Sequence, residues 1–113
     1  MHIRTLLVLI ILGLTSLSAT ADFRTVMEVY EVELVYLTLP ASINGTLTFS
    51  DCEDCASQSI RATAATRYTV NGQNMPLADF RRVVAGITNR KLQIIDVFHD
   101  LESDTVTAVE VKL

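Results

Sequence analysis

The architecture of this chain turns on TVMEVYEVELVYLTL, residues Thr25 to Leu39. Met27 and Val29 flank Glu28, Val32 and Leu34 alternate with Glu31 and Glu33, and Val35, Leu37 and Leu39 then take the opposite parity. Alternation with period two describes a strand with one buried face, and a slip in its phase describes a bulge that bends the strand. A helix is the rival, because Val26, Tyr30, Leu34 and Leu37 also fall near a 3.6-residue period. Branched and aromatic side chains fit a pleated surface, so four valines and two tyrosines decide for one long, bent strand.

Downstream, Pro40 ends this strand, because it cannot donate to a ladder, and Ser42 to Gly45 is turn material. Thr46 to Ser50 (TLTFS) alternates with Leu47 and Phe49 on the buried face. Ser59 to Ala65 reads as a third strand with Ile60 and Ala62 inward. Arg67 to Val70 is a further extended piece running into Asn71-Gly72, the pair that best tolerates the positive φ angles of a type I′ turn. Pro76 suits the first turn of a helix. Leu77, Phe80, Val84 and Ile87 recur on one helical face while Asp79, Arg81 and Arg82 face water, and Gly86 with Thr88-Asn89 ends the helix. Leu92 to His99 and Thr105 to Leu113 form a hairpin across Asp100 to Asp104, with Val109, Val111 and Leu113 inward.

Strand, strand, strand, short helix, strand, strand is a mainly β (β-rich α+β) order. It predicts a small OB-like antiparallel barrel of five or six strands, with one short helix between strands 3 and 4. A bent first strand can serve both halves of such a barrel, and closure removes sheet edges that invite aggregation. The alternative is an open antiparallel sheet with the helix across one face.

Upstream of the deciding stretch, residues 1–21 read as a secretory signal. His2 and Arg4 precede an apolar run, Thr5 to Leu14, and Ala19-Thr20-Ala21 offers cleavage between Ala21 and Asp22. Thr15, Ser16, Ser18 and Thr20 interrupt the run short of the roughly 20 apolar residues of a membrane span. The expectation is a periplasmic or secreted protein with no stable membrane span after cleavage. Residues 22–113 are enough for one small domain. Of nine Lys/Arg the signal holds only Arg4, leaving eight against thirteen Asp/Glu, a formal charge of −5. An acidic, interspersed charge pattern argues against nucleic acid and anionic membranes.

GTLTF from Gly45, TRYTVNG from Thr66, MPLADF from Met75 and TVTAVEV from Thr105 together resemble small exported bacterial OB-like domains of unknown function. The resemblance spans about two-thirds of the chain. It departs where those domains often carry a glycine before the fourth strand and Asn89-Arg90-Lys91 stands here. It implies the fold and a periplasmic setting, and it implies no catalytic residue.

Reactive chemistry is confined to Cys52-Glu53-Asp54-Cys55. A redox dithiol wants its first cysteine at a helix N-terminus, whereas these sulfurs lie between strands beside Asp51, Glu53 and Asp54, carboxylates that disfavour a thiolate. In an exported chain the pair reads as a local disulfide. A zinc set of Cys52, Cys55 and His99 lacks a second C-x-x-C or an H-x₃-H. His99 alternates with Val97 and Ile95 and so reads as a structural residue. Asp96 and His99 fall on opposite faces of their strand, which gives no acid–base pair. Asn44-Gly45-Thr46 matches a glycosylation sequon and reads better as a turn. Tyr30, Tyr36, Tyr68 and Phe98 could line a ligand face, with core packing the stronger reading. No cofactor, and no catalytic residue, is expected. The function expected is a non-enzymatic binding module for an envelope ligand or protein. The alternative is a thiol-disulfide redox or metal-handling protein using the C-x-x-C.

Overall fold

The structure, a computed structural model, describes residues 26–113. The signal reading of residues 1–21, with its Ala21/Asp22 cleavage, lies outside them. Among the described residues eight strands and one α-helix follow in chain order: β1 (Met27–Glu33), β2 (Leu37–Thr38), β3 (Thr46–Ser50), β4 (Ser57–Arg61), β5 (Arg67–Val70), β6 (Gln73–Met75), α1 (Leu77–Ala85), β7 (Ile94–Asp100) and β8 (Thr105–Val111).

The phase slip in the deciding stretch is real, and it takes the form of a single 3-10 turn, Leu34–Tyr36, between β1 and β2. That turn puts Val32, Leu34 and Leu37 all into the core while Val35 stays exposed, which no continuous strand could do. The rival helix does not form.

The sheet runs β1-β7-β8-β4-β3-β2, with β5 against β8 and β6 against β5. Its two end strands are consecutive in the chain but not hydrogen-bonded to each other, so the sheet is open rather than closed. Two further expectations need correction. The count is eight rather than five or six, because the 3-10 turn divides the first strand and Asn71-Gly72 makes its own hairpin of β5 and β6. The sheet is mixed rather than antiparallel. β8 runs parallel to β4 at Arg61↔Thr105 and parallel to β5 over Ala108 to Val111. Parallel neighbours need a long crossover, and the segment holding α1 and β7 supplies it between β5 and β8.

Leu47, Phe49, Ile60, Val97 and Val109 meet in the core with Phe80 from α1. Tyr68 on β5 packs its ring 5.3 Å from that of Phe80, which fixes the helix on the sheet. The helix ends at Gly86 as expected, although its φ of −82° is right-handed and uses none of glycine's freedom. Asn71 (φ 52°) and Gly72 (φ 83°) take the positive angles that the turn requires. Among the described residues no helix is long and apolar enough to cross a membrane.

Candidate functional site

Four places on this frame hold chemistry or shape, and each follows from its local sequence. The first is the β3–β4 tip. A backbone bond from Cys55 N–H to Cys52 O closes a turn there, and the two cysteines are joined as a disulfide with their Cα atoms 5.0 Å apart. Every residue from Asp51 to Ala56 is exposed. The bond ties the tip to itself and reaches no other element. Among the described residues no three His, Cys, Asp or Glu side chains gather as a metal-binding group. Cys52, Cys55 and His99 are therefore not brought together, and sulfurs bonded to each other are not thiolate ligands.

The second is a corner around His99. It is buried, as its alternation with Ile95 and Val97 implied. Its partner is not Asp96. Nε2 lies 2.7 Å from Asp104 Oδ1 across the β7–β8 loop, and Nδ1 is buried without a partner. A carboxylate can only accept, so Nε2 is the donor of this bond. Tyr30 lies beside it, its ring 6.1 Å from His99 and 5.0 Å from Phe49. The Tyr30 hydroxyl donates to Glu28 Oε2 at 2.5 Å. That bond, then burial, then the negative charges of Glu28, Asp104 and Asp51, push the phenol up to about 12. A phenol so held is a poor base at neutral pH, and the corner is a structural joint.

The third is the outer face of β3 and β4. Inward Leu47, Phe49 and Ile60 leave Thr46, Thr48, Ser57, Ser59 and Arg61 outward, with Thr48 and Ser59 hydrogen-bonded at 3.0 Å. Together with Asn44, Ser103 and Asp104 this face borders a polar hollow. None of the aromatic residues singled out from the sequence lines it. Tyr68 is core, Tyr30 belongs to the His99 corner, and Phe98 borders a different hollow.

The fourth is a groove of about 590 Å³ between the β2–β3 loop and α1. Its floor and walls are Ala41, Ile43, Pro76, Leu77, Ala78 and Ala85, rimmed by Arg81 and Arg82. The loop is shaped by Gly45, whose N–H donates to Ser42 O at 2.9 Å. A Cβ on Gly45 would meet Ser42 O at 3.1 Å and Pro40 Cβ at 3.3 Å, so the tight turn favours a residue without one. The turn holds Ile43 out, 58 % exposed. Arg81 Nη1 donates to Pro40 O, joining helix to loop, and Arg82 pairs with Asp79 one turn earlier. A second hollow, of about 240 Å³, lies on the other side of Arg81 beside Arg90.

Helical periodicity places Arg81 and Arg82 on a solvated face and by itself does not reveal the groove. A charge count by segment would have found it. Residues 26–60 carry six acids and no Lys or Arg, whereas Arg81, Arg82, Arg90 and Lys91 stand against Asp79 alone between 76 and 93. A positive rim on a chain of net charge −4 marks this end as different from the rest. Comparison with protein-family models, curated proteins and solved structures finds no match to this chain.

Proposed function

We propose that this protein is an exported, non-enzymatic binding domain of the OB-like type, and that the groove between the β2–β3 loop and α1 is where its partner sits. The observation that carries the reading is the groove: an apolar trough of ligand-site size, with two guanidinium groups on its rim, in an acidic chain. Such a trough suits an apolar side chain with a carboxylate beside it. Apolar contact supplies the attraction and the Arg forks supply orientation.

The OB-like reading draws support from the two ends of the sheet, which are pieces of one bent strand, and from the helix on the crossover to the last two strands. Export draws support from the leader sequence, and from an exposed disulfide of the kind that persists in oxidising compartments. Intact mass should show a chain starting at Asp22 with both sulfurs oxidised.

The groove is tested by backbone-amide NMR with an acetylated, amidated Glu-Leu-Glu peptide and its Lys-Leu-Lys counterpart. The acidic peptide should shift amides in Ala41–Ile43 and Leu77–Ala85, the basic one should not, and Ile43→Asp should remove the effect. Shifts elsewhere, or equal shifts from both peptides, would overturn the reading.

A further inference from the structure

We propose that the groove's partner is a second copy of this chain. The β7–β8 tip of each protomer places Leu101 in the Arg-rimmed groove of the other, around a two-fold axis. This rests on the groove reading above and names its occupant.

The groove asks for an apolar side chain next to a carboxylate, and the molecule carries that pair on its own surface. Leu101 is 38 % exposed at a tip where Asp100 and Glu102 flank it. The other acids of the tip are occupied. Asp100 Oδ1 accepts the N–H of Glu102 at 2.9 Å, and Asp104 is held by His99. Glu102, in no ion pair among the described residues, is the carboxylate left to meet a guanidinium. On the other side Arg81 spends one donor on Pro40 O and keeps the rest of its fork. Among the described residues Arg82 is paired only with Asp79, and its side chain is 78 % exposed.

Both surfaces are tied down by hydrogen bonds within the protomer. The tip is fixed by the His99–Asp104 bond and by Leu101 N–H to Val26 O at 2.9 Å, and the groove loop by Gly45 N–H to Ser42 O. Docking therefore orders little that was loose, which removes a main cost of association.

Their placement selects the symmetry. Asn44 and Thr46, next to the groove loop, border the same polar hollow as Ser103 and Asp104 of the tip. The groove loop and the tip are thus neighbours across this hollow, and in the proposed pair a two-fold axis sets each tip in the opposite groove, so the assembly closes at two. The hollow between them, with Ser59 and Arg61, becomes a polar rim. Two small apolar contacts make a weak pair rather than an obligate one.

Sedimentation equilibrium of the purified, oxidised protein from about 10 µM to 1 mM tests this. The mean mass should climb towards twice the monomer and stop there, and should fall with added salt. Leu101→Asp and Ile43→Asp should each weaken association about tenfold or more. Arg82→Glu and Glu102→Arg should each abolish it alone, because both contacts of each homodimer become like-charged. Mixing the two variants should restore it, because both contacts of the mixed dimer are then opposite-charged, and that restoration also shows that both variants are folded. A monomer throughout, association indifferent to Leu101→Asp and Ile43→Asp, or a mixture that stays monomeric would each overturn the proposal. A monomer whose groove amides still move with the Glu-Leu-Glu peptide loses the second copy and keeps the groove. A monomer whose groove ignores that peptide loses both.

Discussion

Two hairpin tips of this molecule, β3–β4 and β7–β8, are acidic, and they are held in opposite ways. The β3–β4 tip carries Asp51, Glu53 and Asp54 and is closed by a covalent bond between Cys52 and Cys55. The β7–β8 tip carries Asp100, Glu102 and Asp104 and has only hydrogen bonds, but one of them ends on a buried histidine and another on the backbone of Val26. The covalent tip is tied to itself, whereas the hydrogen-bonded tip is tied to the core and to a residue 75 positions away. A crosslink stabilises by shrinking the unfolded ensemble, and a four-residue loop leaves little to shrink. The motif with the most conspicuous chemistry should therefore contribute less to the fold than a histidine without any motif.

Urea unfolding can break that ranking. The largest effect should come from beneath the covalent tip rather than from the bond in it. Phe49, 2 % exposed and packed on Tyr30, should cost about 3–5 kcal/mol when replaced by Ala, through lost burial and the cavity left behind. Asp104→Gly should cost about 1–3 kcal/mol. Glycine accepts the φ of 55° at this position, so the loss reports the stranded Nε2–H of His99 and not backbone strain. His99→Leu should cost less than Asp104→Gly, because it removes the unpaired Nδ1 along with the bond. Cys52→Ser/Cys55→Ser should cost at most about 2 kcal/mol, the loop-entropy limit for so short a ring. A loss larger than that of Asp104→Gly would invert the comparison and give the disulfide a structural part beyond its own loop.

Local patterns made some of this legible from the sequence, and long-range pairing hid the rest. Leu47 and Phe49 went in because clean alternation admits one solution, Asn71-Gly72 turned because few other pairs tolerate those angles, and Leu77, Phe80 and Val84 fell on the buried face of α1. β6 was missed because Gln73-Asn74-Met75 has no strand composition; it pairs only because the turn before it presents it to β5. Leu113, expected inward, is 61 % exposed because β8 ends at Val111. Ala108 and Val109 are both buried, a doublet that alternation forbids, where an irregularity at Phe98/His99 shifts the β7–β8 register. That irregularity depends on two strands at once, so neither strand's sequence shows it. The groove was out of reach for the same reason, since its walls come from residues 41–43 and 76–85, which are far apart in the chain and are joined by the bond from Arg81 to Pro40.

The smallest effect reads both tips through one group. Tyr30 lies between them, and its phenol is raised to about 12 first by the bond to Glu28, then by burial, and then by the charges of Glu28, Asp104 and Asp51, so that each tip contributes one carboxylate. Because the fold holds the phenol above its ordinary value of 10, what Tyr30 adds to stability is fully present below pH 10 and is lost as the pH climbs towards 12. Alkaline difference spectra against Tyr30→Phe isolate this group from Tyr36 and Tyr68. Glu28→Gln should bring the titration most of the way back towards 10. Asp104→Asn should lower it by less, and Asp51→Asn by less again, since its charge acts most weakly of the three. The last substitution is the informative one. If it leaves Tyr30 unmoved, the covalent tip exerts no influence on this corner and the contrast between the tips grows. A shift as large as that from Asp104→Asn would mean that the disulfide loop leans on β1 and shares in holding this corner.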